Sequence, residues 1–327
     1  MTKLATIYGG SGFVGRYIAR RLAKDGWRVR VAVRRPNEAM FVKPYGTVGQ
    51  VEPVFCNIRD DASVRAVMQG ADAVINCVGS FDAKGRNNFN AVQHEGAERV
   101  ARIAAQQGVG ALVHLSAIGA DSDAESGMAR TKGLGEEGIL AHFPRAVILR
   151  PSVIFGNEDD FFNRFAAMSA FGPVLPLAGG NSKFQPVFVD DVAQAAVLGA
   201  EGKAAAGIYE LGGPEVDRLS GFITQMLAVI QRRRLLLNLP FWAAGLVAGA
   251  LDLAQAVTGG LFHNSILTRD QVKQLRHDNI VADDAKGLSD LGISPTAMEA
   301  VLPDYLWKFR PSGQYAAIKD SAKNLRA

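Results

Sequence analysis

At 327 residues the chain is long enough for one large domain, or for a domain with a smaller lobe. Hydrophobic residues make up 48% of it and charged residues 21%, which argues against a disordered chain and suits a globular one. A formal net charge of +4 is too small to call for nucleic acid, which is not expected as a partner, though it suits an anionic ligand or an anionic membrane surface.

Short, continuously apolar runs alternate with helical patterns through the first half. Leu4–Tyr8, Val29–Val33, Glu52–Cys56, Ala73–Cys77, Leu112–Leu115 and Ala146–Leu149 are expected to be strands buried on both faces. Between the first two, Phe13–Lys24 puts Val14, Ile18 and Leu22 on one helical face. Strand, helix, strand in this order implies a parallel sheet with right-handed crossovers. Past Pro151 the pattern loosens. A strand is expected over Phe184–Val189, a helix from an N-capping Asp190 to about Ala200, another strand over Ile208–Leu211, and mainly helix from Leu219 onward. The two cysteines, Cys56 and Cys77, fit no zinc spacing and suit a reducing compartment. No histidine pairs with a neighbour in a metal-binding pattern, so no metal is expected. MTKLATIYGG runs directly into the first strand, with no secretory signal expected before it.

That first strand ends in Gly9-Gly10-Ser11-Gly12-Phe13-Val14-Gly15-Arg16, with glycines spaced as in dinucleotide-binding loops. The chain must turn off the strand, let a pyrophosphate touch its backbone and pack a helix against the sheet. The helix N-terminus then offers N–H groups to the phosphates. A lone glycine triplet says little, but this one follows a strand and opens a helix. Strand two ends in Arg34-Arg35, where an NAD site usually carries an acid. Guanidinium groups there, with Arg16, suit a ribose 2′-phosphate and favour NADPH. Asn57-Ile58 after strand three and Cys77-Val78-Gly79 after strand four end at the same edge of such a sheet. The expected fold is therefore α/β: a Rossmann doubly wound parallel sheet with a smaller, mainly helical C-terminal lobe. Residues 1–155 form the nucleotide domain, to which 184–215 returns. Residues 156–183 and 216–311 form the lobe, and 312–327 a tail.

From Leu4 to Leu211 the order of these segments resembles the extended and atypical short-chain dehydrogenase/reductases. The glycine loop, the NCVG after strand four, HLSAIGA at strand five, Arg150-Pro151-Ser152 after strand six and FQPVFVDDVA over 184–193 carry the likeness. In that family a Ser polarises the substrate oxygen, a Tyr moves the proton, and a Lys four residues after the Tyr binds the nicotinamide ribose. Ser116 and Lys132 match, and the resemblance adds Pro151 and Val153 to the cofactor set. The Tyr position is Met128, a thioether with no proton to give. No catalytic residue is therefore assigned. Losing a positioned acid/base group costs about 10²–10⁴-fold in rate.

Leu267-Thr268-Arg269-Asp270-Gln271-Val272, Leu291-Gly292-Ile293-Ser294-Pro295 and Pro303-Asp304-Tyr305-Leu306-Trp307-Lys308-Phe309-Arg310-Pro311 extend the likeness over nearly the whole chain. With GGSGFVG in the loop, the sequence resembles the Rossmann-type accessory subunit of respiratory complex I in its α-proteobacterial form. The resemblance implies bound NADPH without turnover and other complex I subunits as partners. It also implies a structural role where the peripheral and membrane arms join, on the cytoplasmic side of the bacterial inner membrane. A separate NADPH-dependent reductase or sugar-nucleotide epimerase, and an NADPH-sensing regulator, are the alternatives. Within 232–262, Arg232-Arg233-Arg234 precedes an apolar stretch, Leu235–Phe262, that is shorter in its uninterrupted part than the about 20 residues of a spanning helix. It is read either as a helix lying at a membrane interface or as one in the lobe's own core.

Overall fold

The computed structural model describes residues 2–80, 85–257, 264, 267–311 and 313–315. The chain divides into two units, each discontinuous in sequence. The first comprises Met1–Ser152, Val189–Gly212 and Val281–Pro295; the second comprises Val153–Phe188, Gly213–Ile280 and Thr296–Ala327.

The first unit is a seven-stranded sheet flanked by helices. Its strands are β1 (Leu4–Tyr8), β2 (Arg28–Val33), β3 (Val51–Phe55), β4 (Ala73–Asn76), β5 (Ala111–Leu115), β6 (Val147–Pro151) and, numbered by chain order, β11 (Gly207–Leu211). They lie in the order β11-β6-β5-β4-β1-β2-β3, with every pairing parallel. Every residue of β1 and β4 is buried, the signature of strands covered on both faces. α1 (Phe13–Lys24) and α6 (Val189–Ala200) are tied by a two-pronged ion pair: Arg21 Nε and Nη2 donate to the two carboxylate oxygens of Asp190, each at 2.7 Å. α2 (Asp61–Met68) and α3 (Glu95–Gln106) pack Val64, Met68, Val100 and Ile103 against Val74 and Leu112 of the sheet. α4 (Gly127–His142) joins them, with Thr131 Oγ1 3.0 Å from Gln93 Oε1.

The second unit holds β7 (Ile154–Phe155), α5 (Phe162–Met168), β8 (Val174–Ala178), β9 (Lys183–Phe184) and β10 (Val187–Phe188). Past Gly213 it adds β12 (Asp217–Arg218), α7 (Leu219–Val229), β13 (Leu235–Leu239), α8 (Phe241–Val257), α9 (Arg269–Gln274) and α10 (Met298–Leu306). Its core is aromatic, with Phe155, Phe162, Phe165 and Phe184 packed against Phe222, Met226, Leu302 and Tyr305. The Tyr305 hydroxyl donates to Asp159 Oδ2 at 2.5 Å, tying α10 to the loop before α5.

Several expectations need correcting. The strand expected over Phe184–Val189 is two fragments, because Pro186 between them has no N–H for a ladder. β9 pairs with β12 and β10 with β7, and Val189 already opens α6, so Asp190 lies in that helix's first turn rather than at its cap. The returning segment of the first unit is thus Val189–Gly212 rather than 184–215. Residues 281–295 join it as well, held by Glu210 N–H on Lys286 O at 2.8 Å and Ala282 N–H on Glu210 Oε2 at 2.9 Å. Leu235–Phe262 is not one helix. Leu235–Leu239 is β13, parallel to β8, and the helix starts after Pro240. Residues 258–262 lie outside the described residues, as does nearly all of the expected tail. Among the described residues no helix is long and apolar enough to cross a membrane.

The large apolar groups near the C-terminus mostly close the second unit's own core: Leu302, Tyr305 and Leu306 are buried, and Trp307 is exposed. Of the three arginines that precede the apolar stretch, two are bonded to backbone. Arg232 Nε donates to Phe309 O at 2.9 Å and Arg234 Nε to Ser169 O at 2.7 Å. Arg233 is the exposed one.

Candidate dinucleotide site

The sheet order reverses between β1 and β4, so the crevice at their carboxyl ends is where a ligand has room. Gly9 leaves β1 there with φ +74°, a conformation that an L side chain rarely adopts. Its N–H donates to Ala32 O at 2.9 Å, and its carbonyl accepts Gly12 N–H at 2.9 Å. Gly15 is required by crowding: a Cβ would lie 2.6 Å from Gly9 O and 2.7 Å from Gly10 Cα. Gly12 is the N-cap of α1 and no side chain caps it; the first helical bond runs from Arg16 N–H to Gly12 O at 3.1 Å. The N–H groups of the first turn therefore look toward the loop, with Ser11 and Phe13 half-buried, Val14 and Gly10 buried and Gly12 exposed.

Arg34 and Arg35 stand exposed just beyond β2, where a ribose 2′-phosphate would lie. Arg35 Nη1 is 3.0 Å from Glu38 Oε1, in a solvent-facing pair of little strength. Arg16 leans back over the loop, with Nη2 on Ser11 O at 3.2 Å and Nε on Gly12 O at 3.3 Å. At the end of β3, Asn57 closes its own turn by accepting Arg59 N–H at 3.2 Å, and the Ile58 side chain is buried in the core. Beyond β4, Cys77 N–H donates to Tyr8 O at 2.9 Å, burial pushes the Cys77 thiol up to about 12, and Gly79 is exposed. Val78 N–H donates to Asn76 Oδ1 at 3.2 Å.

The opposite end of the crevice holds a polar cluster that sequence reasoning only half identified. Because Val78 N–H fixes the Asn76 oxygen, the Asn76 amide nitrogen faces His114 Nδ1, at 3.2 Å. Nδ1 must accept, so the ring is neutral with its proton on Nε2. Burial and the Lys132 ammonium push this histidine down to about 3. Lys132 is itself pushed down to about 8 by burial, against the pull of Glu136 one helical turn on. The Ser116 hydroxyl donates to Glu136 Oε1. Glu136, buried on α4, is also gripped by Arg150 of β6: Nη2 to Oε2 at 2.6 Å, and Nε to Oε1 at 3.0 Å. Arg150 Nη1 lies 3.7 Å from Glu210 of β11. One carboxylate thus joins α4 to the ends of β5, β6 and, through Arg150, β11.

Of the expected set, Gly9 to Arg16, Arg34, Arg35, Asn57, Cys77, Val78, Gly79, Ser116, Lys132 and Pro151 lie at carboxyl ends of strands in the first unit or on the helices that follow. The Ile58 side chain turns into the core instead. Val153 belongs to the second unit, where its N–H donates to Asn279 Oδ1 at 3.1 Å. Glu136, Asn76 and Arg150 were missed as site residues. The four-residue interval from Lys132 to Glu136, which puts both on one helix face, was the available signal. The residues suit a dinucleotide: the glycines leave a cradle that a Cβ would fill, and Lys132 stands beside the Glu136 carboxylate and the neutral His114 ring. NADPH bound here would bring a transferable hydride. The chain's own groups would bind its phosphates and ribose, but the Ser116 hydroxyl already donates its hydrogen bond to Glu136, and Met128 has no proton to give.

The sequence pattern of the NAD dependent epimerase/dehydratase family matches residues 5–212. The chain belongs to that family. It is 34% identical over 316 residues to the mitochondrial NADH dehydrogenase [ubiquinone] 1 alpha subcomplex subunit 9 of Arabidopsis thaliana, covering 95% of this chain and 79% of that one. A shorter likeness, 32% over 190 residues and 58% of each chain, is to the ceramide reductase of Caulobacter vibrioides. Among solved structures, the Bordetella bronchiseptica enzyme WbmH in complex with NAD+ has the same fold. Its TM-score is 0.69 at 17% identity, over 96% of this chain and all of that one.

Proposed function

We propose that this chain is an accessory subunit of respiratory complex I that holds NADPH and does not turn it over. The observation that carries the reading is the contrast within one crevice. The cofactor half is complete, with a crowded glycine loop, exposed arginines after β2 and a lysine poised for a ribose. The reacting half is closed, because Ser116 is bonded to Glu136 and Met128 stands where the family's proton donor belongs. A likeness to a complex I subunit over 95% of the chain supports the partner assignment. The proposed place is the junction of the peripheral and membrane arms, on the cytoplasmic side of a bacterial inner membrane.

The outer face of α8 supports attachment near a membrane or a membrane subunit. That helix turns its small residues Ala244 and Ala248 inward and presents Trp242, Leu246, Val247 and Leu253 to solvent, at 70%, 68%, 47% and 64% exposure. In a native gel of detergent-solubilised membranes the chain is expected to migrate with complex I. Migration only as a small species of its own would contradict the assignment. A second reading, an NADPH-dependent reductase, draws on the partial likeness to a ceramide reductase. It predicts turnover of a ketone substrate by the isolated chain, where the first predicts none at a physiological rate.

A further inference from the structure

An exposed phenylalanine beside the loop calls for an explanation. Phe41 lies in a 3-10 helical stretch, Pro36–Tyr45, that continues directly from Arg34-Arg35, and it is 42% exposed. The face of its ring is covered by the Arg16 guanidinium, whose carbon stands 4.8 Å from the ring centroid. The same guanidinium is bonded to Ser11 O and Gly12 O of the loop. A planar group held by two carbonyls on its edge and an aromatic ring on its face keeps one orientation. One helical turn further along α1 the arrangement repeats. The Arg20 guanidinium lies 4.8 Å from the Tyr45 ring and 5.4 Å from that of Tyr17, while Phe41 and Tyr45 meet edge to face at 6.4 Å. The stretch is thus laid along α1 by two guanidinium–ring stacks. Only the first stands at the loop.

We propose that Phe41 is a positioning residue that holds the Arg16 charge at the glycine loop and so makes the site select nucleotides bearing a 2′-phosphate. This rests on the reading of the crevice as an NADPH site, which it deepens by adding a determinant outside the loop and the β2 arginines. Arg20 and Tyr45 anchor the stretch without touching the loop.

The test uses the full chain and two probes, 2′,5′-ADP and 5′-AMP, with affinities measured by calorimetry, so that no turnover is needed. Phe41→Ala is expected to weaken 2′,5′-ADP by about two- to fivefold, the range for a solvent-facing cation–ring contact, and to leave 5′-AMP unchanged. Phe41→Leu, which keeps apolar bulk without a ring, should behave like Phe41→Ala, and Phe41→Tyr should keep the wild-type ratio. Equal weakening of both probes would make Phe41 a structural residue only and overturn the proposal, as would an unchanged ratio. A wild-type chain that binds both probes equally would instead remove the NADPH reading itself, and this proposal with it.

Discussion

Glu136 governs what the residues around it can do. Buried and gripped by Arg150, it accepts the hydrogen bond of the Ser116 hydroxyl and favours the charged form of Lys132. Glu136→Ala takes the two-pronged partner from Arg150, which keeps Glu210 at 3.7 Å, and the carboxylate from beside Lys132. A cost of about 3 kcal/mol, the low end for breaking a buried pair, is therefore expected in urea unfolding. A loss below 1 kcal/mol, roughly the worth of an exposed pair, would show the pair to be dispensable. His114 gives a pH signature. Its folded value of about 3 lies below the ordinary 6.5, so between these values the unfolded chain takes a proton that the folded chain refuses. Stability should therefore fall as pH drops from 6.5 toward 3, by up to about 1.4 kcal/mol per pH unit, and fall less steeply in His114→Asn. Parallel slopes in the two proteins would contradict this. At the other end of the crevice, truncating Arg34 and Arg35 together should erase most of the preference for NADPH over NADH, at about 1.5–3 kcal/mol per charge-assisted bond, as paired titrations would reveal. Arg34 and Arg35 fall at the end of β2 as expected, whereas Lys132 comes from the family resemblance. The turn at Gly9 and the crowding at Gly15 could be read from sequence, because glycine spacing along one chain sets them. Asn76, Glu136 and Arg150 could not, because their roles arise from contacts between strands far apart in sequence.

Element by element, the strands buried on both faces were the readable ones. β1 and α1 fall where continuous apolar runs and helical periodicity put them, since each pattern has one solution within a parallel sheet. β13 did not, since Leu235-Leu236-Leu237 suits a helix as well as a strand and its partner β8 is some sixty residues earlier in the chain. α8 shows the limit of composition as a guide. An evenly apolar helix reads as core, yet Ala244 and Ala248 face inward while Trp242, Leu246, Val247 and Leu253 face outward. That arrangement leads to a prediction about attachment. Trp242→Glu with Leu246→Glu should release the chain from membranes while leaving nucleotide affinity unchanged, because neither residue belongs to the nucleotide unit. Retention in the membrane fraction would move the attachment surface elsewhere. Arg233→Glu is the clean companion variant, since Arg232 and Arg234 are bonded to backbone and their reversal would disturb the lobe itself.

For the molecule as a whole, a fold shared with epimerases and reductases carries a crevice that we read as keeping its binding half and closing its reacting half. Fold alone assigns no activity; the proposed lack of turnover rests on Met128 and on the Ser116 bond to Glu136. The likeness to a complex I subunit spans both units, whereas the likeness to a reductase covers 58% of the chain. The central claim joins two properties, a retained nucleotide and membership of the complex, and one preparation can read both. The chain carrying an affinity tag would be purified from its native membranes in mild detergent. Co-purifying chains would be identified by mass spectrometry, and the nucleotide released on denaturation would be quantified. The account predicts complex I subunits together with NADPH in proportion to the tagged chain. Recovery of the chain without those subunits, or with them but without nucleotide, would contradict it.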